Sequence, residues 1–254
     1  MDLPVTPSFR VDGRRALITG ASRGIGMGAG VALAGAGAAV TLAARSGDEL
    51  DALCATLRER GLGATPLVLD VGDVEATRAA IRASGPFDIL VNNAGVNRPG
   101  PMTEVTPEDF DFIMDVNVRA AYFVAQAVLL GMIDAGRGGS IINTSSQMGL
   151  VGGIDRTVYC TSKWGIEGLT RALAIEAAPH GIRVNTICPT FVRTPLTAPT
   201  FADPERVRWI EEKIELGRVA EIEDMMGPVV FLASEAAAMI TGSSLVVDGG
   251  WTAG

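Results

Sequence analysis

The chain predicts an α/β fold, a doubly wound parallel sheet with helices on both faces, and three observations carry that reading. Segments such as Ala16 to Thr19, Ile89 to Asn92 and Ser140 to Asn143 are apolar almost throughout, as strands buried on both faces require. Helical stretches separate them in regular alternation, which implies right-handed βαβ units. Each apolar run ends in a polar residue or glycine, where an open α/β sheet places its ligand crevice.

Taken in order, Arg15 to Thr19 is a strand that runs into glycines, and an alanine-rich helix follows to Gly35. Ala39 to Ala43 is the second strand and Asp48 to Arg60 the second helix. Ala64 to Leu69 and Val74 to Ala83 repeat the pattern, and Phe87 to Val91 is the fourth strand. Pro107 to Ala135 is helical with a break near Asn117, followed by a strand at Ser140 to Thr144, a helix at Val158 to Ala178 and a strand at Ile182 to Ile187. The tail adds a helix at Glu223 to Ser234 and a last strand at Ser244 to Val247. Thr194 to Gly217 carries Pro195, Pro199 and Pro204 and then a charged amphipathic stretch, so it reads as a lid or substrate loop. No repeat, low-complexity tract or linker interrupts the series. One domain over residues 11–254, with an N-terminal extension at 1–10, is the expected organisation.

Composition narrows the class of function. Of 254 residues, 48% are hydrophobic, enough for a large core, yet no run of about 18 uninterrupted apolar residues suggests a membrane span. The first residues lack a basic stretch followed by an apolar one, so a cytoplasmic protein is expected. A net charge of −8 disfavours nonspecific contact with nucleic acid or acidic lipid. Three cysteines, Cys54, Cys160 and Cys188, suit reduced thiols rather than a disulfide framework. The single histidine, His180, rules out a histidine-rich metal centre by counting and precedes a glycine that reads as a helix end.

Two features point to chemistry. In TGASRGIG, Gly20, Gly24 and Gly26 follow the first strand and open the first helix, with Ser22, Arg23 and Ile25 between them. Such glycines serve a tight turn, close approach of backbone to pyrophosphate and close helix–sheet packing, while the helix N-terminus offers free N–H groups to phosphate. Gly28 and Gly30 continue into the helix and have no evident role beyond tight packing. The second strand ends LAARS, with Ala44 and Arg45 where an acidic residue would select the ribose 2′-OH of NAD(H). Arg23 and Arg45 facing one phosphate favour NADP(H) over NAD(H), unless Arg45 is an ordinary solvated arginine. Asp70 and Val71, at the end of the third strand, are placed for the adenine edge.

The second feature is Tyr159 and Lys163, four residues apart and so on one helix face, with Ser146 thirteen residues upstream. A nearby cation stabilises a phenolate, and tyrosine's reference pKa is about 10, so the pair suits a proton-transferring tyrosine. Ser145 is the rival for the serine position.

TGASRGIG, NNAG (92–95), Asn117 in DVNV, NTSS (143–146), YCTSK (159–163) and NTICPT (185–190) together resemble the short-chain dehydrogenase/reductase family, in its order and spacing. The resemblance covers residue 10 or so to the C-terminus and implies a Rossmann-type single domain, commonly assembled as a homotetramer. It implies a tetrad of Asn117, Ser146, Tyr159 and Lys163: Tyr159 as the acid in reduction and base in oxidation, and Ser146 bonded to the substrate oxygen. Lys163 would lower the tyrosine pKa and hold the nicotinamide ribose, and Asn117 would anchor a water. The distance to the tyrosine favours Ser146 over Ser145. Asn93, Ala94 and Gly95 would lie against the cofactor ribose, and Pro189, Val192 and Thr194 near the nicotinamide and pyrophosphate. Thr190 stands where the family usually has glycine.

Asn97, Gln147, Met148, Gly153, Thr190 and Phe191 are the candidate substrate residues. Their mixture of amide, hydroxyl and apolar groups suits a small polar ketone or polyol better than a steroid. The tail resembles the branch with gluconate 5-dehydrogenases and 3-oxoacyl-carrier-protein reductases, so a sugar acid or polyol is the favoured substrate. A 3-oxoacyl thioester is the alternative, although an acidic carrier protein would need a basic landing patch. A dinucleotide-sensing protein without turnover is the third reading, and a broken tetrad would mark it.

Overall fold

A computed structural model describes residues 1–254. Seven parallel strands form one sheet in the order β3-β2-β1-β4-β5-β6-β7: β1 Arg15–Thr19, β2 Ala39–Ala44, β3 Ala64–Val68, β4 Ile89–Asn92, β5 Gly139–Thr144, β6 Ile182–Pro189 and β7 Ser244–Val247. The chain winds outward from β1 to β3, then returns to start β4 beside β1. The order therefore reverses between β1 and β4, and a crevice opens at the carboxyl ends of these two strands.

Helices α1 Gly24–Gly35 and α9 Ile222–Ala233 cover one face, and α3 Val74–Ser84, α5 Ala121–Ala135 and α6 Thr157–Ala177 cover the other. The two hydrophobic cores lie on opposite sides of the sheet, one around Ile18, Leu33 and Leu42, the other around Leu17, Leu90 and Ile141. Leu17 and Ile18 thus point to opposite cores from adjacent positions, as the two-residue period of a strand demands. The 29-residue helical run Pro107–Ala135 is long and apolar enough to cross a membrane by composition alone, and here Val124, Val128 and Met132 pack it onto the sheet.

The close glycines of α1 now have an account. A Cβ on Gly28 would lie 2.3 Å from Ile222 Cγ2, and one on Gly30 would lie 2.6 Å from Leu42 Cδ2. These two positions seat α1 against α9 and against β2, at the small cost in helix propensity that glycine carries. Gly26 faces the turn itself, where a Cβ would meet Gly20 O at 2.3 Å.

Two expectations change. The break near Asn117 is not a gap but a π-helical turn, Asp115–Ala120, between α4 Pro107–Met114 and α5. Residues 194–217 are not an open loop: they fold into α7 Ala198–Phe201 and α8 Pro204–Lys213. Pro199 and Pro204 fall in first helical turns, where no amide donor is needed, and Pro195 lies in the turn before α7; Asp203 Oδ1 accepts from Glu205 N (2.9 Å) and Arg206 N (3.3 Å) to cap α8. Ile210, Ile214 and Val219 bury themselves among Phe191, Phe201, Trp209 and Trp251, giving this layer its own small core.

Gly26→Ala forces backbone apart rather than a flexible side-chain tip. It should destabilise the fold by about 1–3 kcal/mol, the range for overpacking, and lower the urea midpoint with an unchanged m-value; an unaltered midpoint would show that the turn can open freely.

Candidate active site

The crevice between β1 and β4 is built on Thr19. Its Oγ1 accepts from the backbone N–H of Asn93 (3.0 Å) and Ala94 (3.1 Å), and Asn93 Nδ2 donates back to the carbonyls of Thr19 (3.1 Å) and Gly20 (3.2 Å). Gly20 turns the chain at φ 62°, where an L side chain is strained, and a Cβ there would sit 2.9 Å from Ala94 Cα. One strand farther, Asn92 Nδ2 donates to Asn143 Oδ1 (3.1 Å) and Ala121 O (2.8 Å), and Asn143 Nδ2 reaches Thr170 Oγ1 on α6 (2.9 Å). The NNAG and NTSS segments therefore lock the ends of β1, β4 and β5 to the helix that bears Tyr159 and Lys163.

Above these strand ends lies a cavity of about 540 Å³. Its walls include Gly20, Ser22, Arg23, Gly24 and Ile25 from the first turn, and Arg45, Asp70 and Val71 from the ends of β2 and β3. Asn93, Ala94, Gly95, Pro189, Thr190, Val192 and Thr194 line it farther along, up to Ser146, Tyr159 and Lys163. Gly26 and Asn117 act from behind the wall. Of the candidate substrate residues only Thr190 lines this cavity; Met148, Gly153 and Phe191 line an adjoining one of about 410 Å³, and Asn97 and Gln147 line neither. Gln147 is buried, with both amide atoms lacking a hydrogen-bond partner, and Asn97 Oδ1 is likewise unpaired.

The cavity fits a dinucleotide at three points. Helix α1 begins there with no side-chain cap and no acidic residue in its first turn, so its free N–H groups and positive dipole end are open to phosphate. Arg23 and Arg45 stand at the end where β2 carries Ala44 in place of a carboxylate. Thr190 Oγ1, buried and unpaired, offers a hydroxyl at the opposite end. Sequence reading missed Ser46 and Glu49, which line the same wall. Ser46 precedes α2 Gly47–Glu59 without making a side-chain cap bond, and its place directly after Arg45 was the available signal.

At the other end Ser145, Ser146, Tyr159 and Lys163 line the cavity; Ser146 Oγ accepts from Met148 N (3.1 Å), and Ser145 Oγ is buried without a partner. Lys163 is 5% exposed and donates from Nζ to Thr144 O at 2.8 Å, with Nζ 5.6 Å from the Tyr159 ring centroid. The expectation that Lys163 holds the tyrosine pKa down is not met in this site. Burial pushes the phenol up, opposed first by its hydrogen bond to Ser146 and then by the charge of Arg156. Burial also pulls Lys163 down to about 8, against the pull of Cys188 and Glu167. A lysine that is itself costly to keep charged and is committed to a carbonyl has less to offer a neighbour.

The Asn117 side chain is also fully engaged. Nδ2 donates to Val96 O (2.9 Å) and Ser162 Oγ (3.0 Å), and Oδ1 accepts from Val96 N (2.8 Å). Its amide is a clasp that ties the chain just after NNAG to α6.

These features match known proteins along nearly the whole chain. The family model described as Enoyl-(Acyl carrier protein) reductase matches residues 20–252. The chain belongs to the short-chain dehydrogenase/reductase family. It is 44% identical to the D-erythrulose reductase of Gallus gallus over 96% of this chain and 98% of that one. It is 42% identical to the L-xylulose reductase of Homo sapiens over 95% and 97%. A gluconate 5-dehydrogenase from Burkholderia cenocepacia J2315, solved in complex with NADP and tartrate, superposes with a TM-score of 0.94 at 36% identity, covering 97% of this chain and 98% of that one. The protein is thus a family oxidoreductase acting on CH–OH groups.

Because Lys163 is held near 8 by burial, amine labelling of the unliganded protein followed by mass spectrometry should show it becoming reactive as pH rises through about 8, well below lysine's ordinary value. Exposed Lys213, the only other lysine, is the internal control. A Lys163 midpoint above 10 would refute the desolvated environment.

Proposed function

We propose that this protein reduces the ketone of a small polyhydroxylated substrate, a keto sugar acid or ketose, to the secondary alcohol with NADPH, and runs the reverse reaction with NADP. The observation that carries the cofactor choice is the pair of arginines, Arg23 and Arg45, at the end of β2 where Ala44 leaves no carboxylate to repel a 2′-phosphate. Relatives named for erythrulose, xylulose and gluconate, one solved with NADP, support the substrate class. NAD(H) is the weaker cofactor in this reading.

Gly20, Ser22 and Gly24 with the N-terminus of α1 would hold the pyrophosphate, Asp70 and Val71 the adenine, and Asn93 to Gly95 a ribose. Pro189, Val192 and Thr194 border the nicotinamide end. When bound, the nicotinamide supplies the hydride to the carbonyl carbon. Ser146 donates a hydrogen bond to the carbonyl oxygen, and Tyr159 gives it the proton. Both act where negative charge builds in the transition state, inside a largely buried site in which such donors are worth most. A raised phenol pKa in the open site keeps Tyr159 protonated, the form that reduction needs. Lys163, anchored on Thr144 O, would hold a ribose. Asn117 positions α6 through its clasp on Val96.

Half-exposed Tyr122 on α5 and Trp164 on α6 fit a homotetramer in which these long helices pair across subunits. A 3-oxoacyl thioester is the competing substrate, favoured by the carrier-protein wording of the matching family model. Efficient turnover of acetoacetyl thioesters, with none of keto sugars, would replace the reading above.

Tyr159→Phe should abolish ketone reduction and leave NADPH affinity within a fewfold of the parent, measured by fluorescence titration; loss of cofactor binding would place Tyr159 in a different role. Ala44→Asp should shift the NADPH-to-NADH ratio of kcat/KM toward NADH by about tenfold or more, since a carboxylate there repels the 2′-phosphate. An unchanged ratio would mean that the 2′-phosphate is read elsewhere.

A further inference from the structure

The adjoining cavity of about 410 Å³ is continuous in sequence with the reaction centre at three places. Ser146 lines the first cavity and Met148 the second; Thr190 lines the first and Phe191 the second; Tyr159 lines the first and Arg156, one turn earlier, the second. A substrate whose carbonyl meets Ser146 and Tyr159 therefore has its far end directed into this second space.

Arg156 is the unusual group there. It is 6% exposed, yet it belongs to none of the protein's ion pairs. Its one side-chain hydrogen bond runs from Nη1 to Asp155 O at 3.1 Å. Arg206, half-buried on α8, lines the same cavity and is also without an ion pair. Its charge and burial both press the Arg156 guanidinium toward the neutral form, and the nearby Asp155 carboxylate only partly offsets them. A guanidinium cannot escape by losing its proton, so an unpaired buried one is a standing cost unless an anion completes it. The backbone is strained at the same point: Asp155 is the one non-glycine residue with positive φ, at 57°. Strain of that kind persists where the surroundings impose it and gathers at ligand sites.

We infer that Arg156 and Arg206 form the receptor for a carboxylate on the substrate, which makes the ketone substrate a keto sugar acid rather than a neutral ketose. The inference rests on the keto-polyol reading proposed above and narrows it. Arginine's planar fork matches a carboxylate's two oxygens. The remaining charged groups on the cavity wall are exposed: Lys213, Glu212 and Glu215. Among the side chains on this wall the cations Arg156, Arg206 and Lys213 outnumber the carboxylates Glu212 and Glu215. Arg156 is buried and the two glutamates are exposed, so the desolvated cation is the one that gains most from an incoming carboxylate.

The test is calorimetric titration of the NADP-saturated protein with gluconate and with sorbitol, its neutral counterpart of equal chain length, alongside kcat/KM for 5-ketogluconate, a neutral ketose and a ketose phosphate. Gluconate should bind about tenfold or more tighter than sorbitol, as a desolvated charge-assisted pair requires. Arg156→Gln and Arg206→Gln should each bring that ratio toward one and lower kcat/KM for the keto acid relative to the ketose, mainly through KM. If Arg156→Gln fails to fold, Arg206→Gln on the exposed helix carries the test. Equal binding of gluconate and sorbitol, a ratio that survives Arg206→Gln, or a preference for the ketose phosphate would overturn the inference. Equal losses on acid and neutral substrates would also overturn it, by assigning Arg156 to the support of Tyr159 alone. A gluconate preference that depends on the arginines without turnover of any ketone would sink the proposed reaction and leave the anion site standing. Turnover of neutral ketoses with no gluconate preference would do the reverse.

Discussion

The hydrogen bonds between Thr19 and Asn93 are the constraint on which the rest of this site depends. At the point where strand order reverses, β1 and β4 lead into different connections, and the ladder between them stops at Ile18 and Val91. Thr19 Oγ1 takes two backbone donors from the NNAG segment, and Asn93 returns its amide to two carbonyls of the first turn. The tight approach leaves no room for a side chain on Gly20, and Gly26 must close against the same carbonyl. The glycine turn and the NNAG segment are therefore one object, fixed by one cluster of bonds.

The same lattice extends sideways to the chemistry. Asn92, Asn143 and Thr170 tie β4 and β5 to α6, while Asn117 reaches from the π turn to Val96 and Ser162. Asn92, Asn117 and Asn143 are buried, and each is spent on bonds between elements rather than on a ligand. That division suits a rigid site. Buried amides that bridge elements cannot swing toward substrate without leaving unpaired groups behind. The groups left open, Ser146, Tyr159, Thr190 and the uncapped start of α1, all face the cavity.

Burial sets the electrostatics more than pairing does. Four-residue spacing puts Tyr159 and Lys163 on one helix face, and the structure keeps them there. Spacing says nothing, however, about how much water each keeps. The Lys163 ammonium binds Thr144 O and is drawn down toward neutrality, and the phenol is pushed up, because α6 is pressed against the sheet at that turn. Arg156 belongs to the same account: sequence alone shows an arginine before a helix, and only packing shows it buried and outside every ion pair.

The sequence by itself determined the alternation of strands and helices, the glycine turn after the first strand and the shared helix face of Tyr159 and Lys163, because these depend on local periodicity and on short motifs whose spacing fixes their geometry. It placed the break near Asn117 without its π-helical form, and it took residues 194–217 for a loop because prolines and charges look alike in a loop and in a capped first turn. What only the tertiary structure decided was contact between distant segments: α1 seated by Gly28 on Ile222, Ser46 and Glu49 brought to the cofactor wall, and Gln147 and Asn97 withdrawn from either cavity. It alone also decided solvation. Desolvation depends on every neighbour at once, so the charge states of Lys163, Tyr159 and Arg156 are properties of the packed molecule and of no stretch of its sequence.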